Sequence, residues 1–314
     1  MGESEGIRVL AVASGKGGVG KTTTVVNLGA ALARVGLDVA IVDVDLGMAN
    51  LGAFVNLTDP PATIHDVLSE SVSLEAASFT KDHLTVVPGS TDLDSFASAN
   101  TDALADVVDS LRTDHDLVFL DVGAGLNHDI ALSISLSDAV ILVTTADVSS
   151  LTDASKTGRL VERLDRPVIG AVFTRTGEGT FEDVEGIATA FGTTNAVTVS
   201  VPYDERVPLS IRRGMPIVLM DPERPASRAY RRFGAKLVDT IGVQVPSGTP
   251  DDEFKWVDPE TGREREPTDE LFENREEVRE IPLEDLIAEA GLTEGDEATK
   301  RGIRLLDRVR NRFT

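Results

Sequence analysis

Short apolar runs alternate along the chain with longer stretches of helical period. Residues 7–13, 38–45, 84–87, 117–121, 139–145, 168–175 and 197–201 are rich in Val, Ile, Leu and Ala, the mark of strands covered on both faces. Between them, apolar residues recur at helical spacing over 25–35, 63–68, 102–111, from 148 onward and over 224–241. Gly36 stops the first helix, and Thr63 stands near the cap of the second. This alternation predicts an α/β fold with a doubly wound, mostly parallel sheet. Ligands bind such sheets beyond the carboxyl ends of the strands, so the residues that close each run are the candidates for chemistry.

The first run closes on Ser14-Gly15-Lys16-Gly17-Gly18-Val19-Gly20-Lys21-Thr22-Thr23-Thr24. From Gly15 to Thr22 this satisfies G-x-x-x-x-G-K-[ST] between a strand and a helix, the context that a P-loop requires. The glycines let successive backbone N–H groups line one concavity, and the helix that begins near Lys21 adds its positive end. Lys21 is expected to reach the β- and γ-phosphates of a nucleotide, and the Thr22 hydroxyl to ligate Mg²⁺. The run 38–45 closes on Asp43 and Asp45, and 117–121 on Asp121, the Walker B arrangement. Two acids at a strand end would also suit an ordinary turn; a phosphate loop one strand away favours function.

Lys16 is the distinguishing residue. With Gly17 and Gly18 after it, the loop resembles the deviant Walker A family, the MinD/ParA ATPases, and within it archaeal MinD-like proteins. The resemblance covers about residues 7–242. It implies ATP and Mg²⁺ as ligands, with Gly15 to Thr23 around the phosphates. It also implies a nucleotide-sandwich dimer in which Lys16 crosses to the partner's phosphates. Asp45 then orients the attacking water, Asp43 holds the hydration shell of Mg²⁺, and Asp121 lies behind the metal through Thr22 or water. Thr174, Arg175 and Pro202 fall where the family surrounds the base; relatives often carry Asn at the Thr174 position, and Thr offers fewer hydrogen bonds. Asp121-Val122-Gly123-Ala124-Gly125 resembles the second switch, D-x-P-A-G, with Gly123 in place of the proline, which loosens the loop. Val148-Ser149-Ser150-Leu151-Thr152-Asp153 is similar to the MinD segment that borders the dimer interface and the activator site. His65, with no patterned carboxylate or second His, reads as an ordinary surface or capping residue.

Composition narrows the function. The 314 residues include no Cys, which excludes disulfides and Cys-ligated clusters, and with them the iron–sulfur scaffolds and nitrogenase-type reductases built on this core. No apolar run reaches 18 residues, and Met1 to Gly6 lacks a signal pattern, so the expected place is the cytoplasm. The net charge of −23, with 7 Lys against 23 Arg, looks like adaptation to a salt-rich cytoplasm; an acidic protein of a low-salt cell is the other reading. Either way a broad basic face for nucleic acid is disfavoured.

Past the core the composition changes. Residues 246–299 hold 19 Asp/Glu against 5 Lys/Arg and read as an acidic linker, with short helical patterns at 269–280 and 283–290 and the single Trp, Trp256, beside a turn signal. Residues 300–314 reverse to a net +5. On a helix, Ile303, Leu305, Leu306, Val309 and Phe313 share one face and Lys300, Arg301, Arg304, Arg308 and Arg312 line the other. A basic amphipathic helix of this kind reads as a membrane-surface anchor and resembles the terminal helix of MinD proteins; packing back on the core or on a protein partner is the alternative. The expected organisation is therefore an ATPase domain over 1–245, a linker over 246–299 and an amphipathic helix over 300–314. The expected function is a switch ATPase that dimerises on ATP and works peripherally at the inner face of the cell membrane, stimulated by a protein activator. A ParA-type partitioner acting on DNA or a protein cargo, or a nucleotide-locked scaffold, are the alternatives.

Overall fold

The computed structural model describes residues 6–92, 95, 98–177, 196–246, 256–257 and 264–265. The core is one eight-stranded sheet in the order β3-β4-β2-β5-β1-β6-β7-β8. Its strands are β1 (Val9–Ser14), β2 (Val39–Asp43), β3 (Phe79–Lys81), β4 (Leu84–Val87), β5 (Leu117–Ala124), β6 (Ala139–Thr145), β7 (Val168–Thr176) and β8 (Val197–Pro202). All pairings are parallel except β3 with β4, an antiparallel hairpin at one edge. β3 is only three residues long and carries no apolar run, so hydrophobic periodicity gives no sign of it.

The central strands β1 and β2 are buried throughout, as their unbroken apolar runs require. β1 lies between β5 and β6, with the later strands fanning to one side and β2 to the other. The loop after β1 thus stands where the strand order reverses, the position at which doubly wound sheets bind ligands. Helix α1 (Lys21–Ala33) follows that loop, and all thirteen of its residues are buried. Its Thr-Thr-Thr-Val-Val opening is β-branched and poor in helix propensity, so packing holds it. It sits beneath α9 (Pro225–Ile241), whose Tyr230 and Phe233 are among the largest buried side chains.

Among the described residues, α2 (Leu51–Phe54), α3 (Ile64–Leu68), α4 (Leu104–Asp114), α5 (His128–Ser135) and α6 (Val148–Arg163) lie between strands, and α7 (Arg206–Arg212) and α8 (Ile217–Met220) lead from β8 to α9. Thr63 closes the expected cap as a capping box with Asp66. Two expectations are corrected. His65 is fully buried rather than at the surface, because α3 packs its first turn under the loop after β2. The Ser90 amide donates to its Nδ1 (3.0 Å), so its Nε2 carries the proton and donates to the Leu46 carbonyl (2.9 Å). The second switch is also not a loose loop from Asp121 onward. β5 continues through Gly123 to Ala124, which pairs with Ser14, and Gly leaves in place the backbone N–H that a proline would remove.

A second unit, residues 253–314, contains a two-stranded antiparallel ribbon, Trp256–Val257 with Glu264–Arg265. It flanks the turn signal that follows Trp256. The expected helices of the linker, and the apolar face of Ile303, Leu305, Leu306, Val309 and Phe313, lie outside the described residues. Among the described residues no helix is long and apolar enough to cross a membrane.

Candidate nucleotide site

The site grows from the loop between β1 and α1. Gly20 precedes the helix in a left-handed conformation (φ 97°), and no side chain caps the first turn, so its N–H groups are left for a ligand. The loop carbonyls are held away by side chains. Ser14 Oγ donates to the Lys16 carbonyl (2.9 Å), Arg175 Nη2 to Gly18 (2.8 Å), Thr174 Oγ1 to Val19 (2.5 Å) and Thr24 Oγ1 to Gly20 (2.8 Å). With its carbonyls tied outward, the loop presents its N–H groups to an anion. Gly15 has a separate reason to be glycine: a Cβ there would meet the Asp153 backbone of α6 at 2.3 Å.

The two loop lysines part company. Lys21 is buried beside Asp121, whereas Lys16 stands exposed with Gly17 and Gly18. Lys16 lines a cavity of about 390 Å³ with Thr145, Asp147, Ser150 and Arg175. Asp147 caps α6. The Thr145 hydroxyl (2.6 Å), the Ser150 hydroxyl (2.7 Å) and the Ser150 amide (2.9 Å) all donate to its carboxylate. These bonds, led by the one from Thr145 and helped by the Lys16 charge, hold Asp147 well below the usual carboxylate range.

Asp43, the last residue of β2, and Asp121, within β5, are register partners. Burial first, then their mutual repulsion for Asp43, pushes both carboxyls above the usual range; Lys21 and a hydrogen bond from Thr22 partly offset this at Asp121. Asp43 is held by the amides of Asp45 (3.2 Å), Asn50 (2.9 Å) and Leu51 (2.9 Å), which fixes the turn after β2. Asp121 Oδ1 is buried with no hydrogen-bond partner. Two crowded carboxylates, one with an unsatisfied oxygen, beside the Thr22 hydroxyl suit a hard divalent cation that keeps part of its water shell. Asp45 lies just past β2, half-buried, with its carboxylate against the second switch: a Cβ on Gly123 would stand 3.1 Å from Asp45 Oδ1.

Lys16, Lys21, Thr22, Asp43, Asp45 and Asp121 thus gather at one end of the sheet, as their motifs predict. Thr174 and Arg175 also reach this end, where the Thr174 hydroxyl donates to the Val19 carbonyl and one N–H of the Arg175 guanidinium to that of Gly18. Pro202 ends β8 next to the exposed Tyr203. Asp147 belongs to no motif of the sequence. Its local signal is an Asp placed immediately before the helical stretch that begins at 148, the position of an N-cap.

A strand-loop-helix phosphate cradle with a second lysine, facing two buried carboxylates on neighbouring strands, defines a P-loop nucleotide-binding protein. Residues 10–217 match the CobQ/CobB/MinD/ParA nucleotide binding domain, and the chain belongs to that family. It is 33% identical over 250 residues to an uncharacterized ATP-binding protein of Methanocaldococcus jannaschii, covering 79% of this chain and 92% of that one. It is 30% identical over 263 residues to the septum site-determining protein MinD of Bacillus subtilis, covering 78% and 91%. Among solved structures it resembles the septum site-determining protein MinD of Pyrococcus horikoshii complexed with Mg-ADP, with TM-score 0.70 and 29% identity over 75% of this chain and 98% of that one.

Proposed function

We propose that this protein is an ATP-dependent dimerising switch that hydrolyses ATP slowly and uses its nucleotide state to control where it sits in the cell. The observation that carries this is the split between the loop lysines. Lys21 is buried toward its own site, while Lys16 is exposed on the outer face of the same loop, free to serve a nucleotide held by a second copy. Exposed apolar residues support a partner on that face. Met48 and Leu126 stand on the loops after β2 and β5, and Val148 opens α6 after β6, at the sheet end that carries the P-loop.

Catalysis here is positioning and electrostatics. The loop N–H groups and Lys21 hold the β- and γ-phosphates, and Asp45 holds the attacking water in line. Thr22, with Asp43 and Asp121 behind it, would hold Mg²⁺, which when bound neutralises charge on the phosphate oxygens. Gly123 lets the Asp45 carboxylate lie close against the second switch. The basic amphipathic segment 300–314 fits a reversible membrane attachment that dimerisation strengthens, with a protein activator or cargo acting at the α6 face.

The test is phosphate release. Asp45→Ala is expected to bind ATP with near wild-type affinity while its turnover falls at least tenfold, the loss that removal of a water-positioning group implies. Turnover at the wild-type rate in that variant removes Asp45 from the mechanism.

A further inference from the structure

The end of β7 breaks strand geometry at one place. Its pairing with β8 runs from Phe173 opposite Ser200 to Thr176 opposite Pro202, so one extra residue is inserted on the β7 side. Within that insertion Arg175 adopts a left-handed backbone, φ 54°, which a side chain of its size rarely takes and which costs energy unless something holds it. In an unbroken strand Thr174 and Arg175 would point to opposite faces. The bulge brings both to the P-loop, where Thr174 Oγ1 takes the Val19 carbonyl and Arg175 Nη2 the carbonyl of Gly18, 157 residues away.

That contact falls where the loop has least other support. Gly17 and Gly18 are exposed, Gly18 is itself left-handed (φ 75°), and a Cβ built on either would meet nothing within 4 Å. Packing therefore does not fix Gly17 and Gly18, and the wide backbone freedom at Gly18 lets the peptide plane between Gly18 and Val19 rotate. A rotated Gly18 carbonyl would point into the cradle and repel a phosphate, and an N–H would be lost from it.

We propose that the Arg175 bulge is a latch that keeps the P-loop in its phosphate-receiving form. Arg175 is a positioning residue acting through the Gly18 carbonyl, not a contact to the base. Thr174, buried, is the fixed half of the latch and Arg175, exposed, the releasable half. The backbone strain at Arg175 is retained because the latch needs it. This rests on the reading of the loop as a nucleotide site.

Arg175→Gly separates the roles, since glycine accepts the left-handed backbone without strain but has no guanidinium. The nucleotide-free variant is expected to melt no lower than wild type. In the same nucleotide-free protein, hydrogen exchange of the Gly17, Gly18 and Val19 amides is expected to quicken by about three- to tenfold, the scale of one lost hydrogen bond. ADP and inorganic tripolyphosphate should both bind more weakly, by the same factor, and Arg175→Lys should fall between variant and wild type. Unchanged exchange in Arg175→Gly overturns the latch. So does weaker ADP binding with tripolyphosphate binding intact, which would make Arg175 a contact to base or ribose. Wild-type protein that binds neither ligand refutes the nucleotide reading instead, and the exchange comparison still tests the latch.

Discussion

Asp43 and Asp121 oppose each other where β2 ends beside β5, and a protein without a cation has little reason to keep them there. Both carboxyls are raised above their unfolded values, so the stability each contributes is full below about pH 4 and is lost as pH rises through the folded values, about 6 for Asp121 and about 7 for Asp43. Asp121→Asn keeps an acceptor for Thr22 and removes the repulsion. In chelator it should raise stability by about 1–2 kcal/mol at pH 8, with the gain shrinking toward pH 5. Added Mg²⁺ should stabilise wild type and leave the variant unmoved. Thermal unfolding over that range checks this, and an equal loss of stability at both pH values would make Asp121 a purely structural residue. At this scale the sequence spoke clearly wherever chemistry lies in a contiguous motif, as from Gly15 to Thr23. It was silent where the fold brings distant residues together. Nothing local ties Arg175 to Gly18 or turns the Thr174 hydroxyl to Val19, and His65 looks isolated until Ser90 and Leu46 close around it.

Elements were legible in proportion to how strongly burial patterns them. The parallel strands announced themselves because both of their faces are covered, whereas β3 at the edge and the short helices α2, α7 and α8 carry too few periodic residues to be seen. Gly123 misled the reading, since a glycine that frees a loop also permits a strand to continue. Residues 300–314 carry an amphipathic pattern of basic and apolar positions. One such helix buries about five apolar side chains, and the cost of folding and immobilising it offsets much of the gain, so a monomer binds lipid weakly. Two helices on a dimer raise avidity by about 10²–10⁴. Leu306→Glu or Phe313→Glu should therefore abolish ATP-dependent sedimentation with anionic vesicles while ATP turnover persists. Vesicle binding at the wild-type level in both variants would show that this face meets protein rather than lipid.

For the molecule as a whole, charge and topology point the same way. A net charge of −23 keeps copies apart by repulsion at low salt, and in molar salt the Debye length shrinks to about 3 Å, leaving association to short-range contacts. The contacts on offer are Met48, Leu126 and Val148 around the P-loop, together with Lys16, a cation exposed where a partner's phosphates would neutralise it. Nucleotide would thus complete an interface that the protein alone leaves open. Sedimentation velocity on Asp45→Ala, with Mg-ATP or Mg-ADP at saturation, tests this most directly. The expected result is a dimer with ATP, a monomer with ADP, and loss of the ATP dimer when Lys16→Ala is added. A monomer in saturating ATP, or a dimer indifferent to nucleotide and to Lys16, would contradict it.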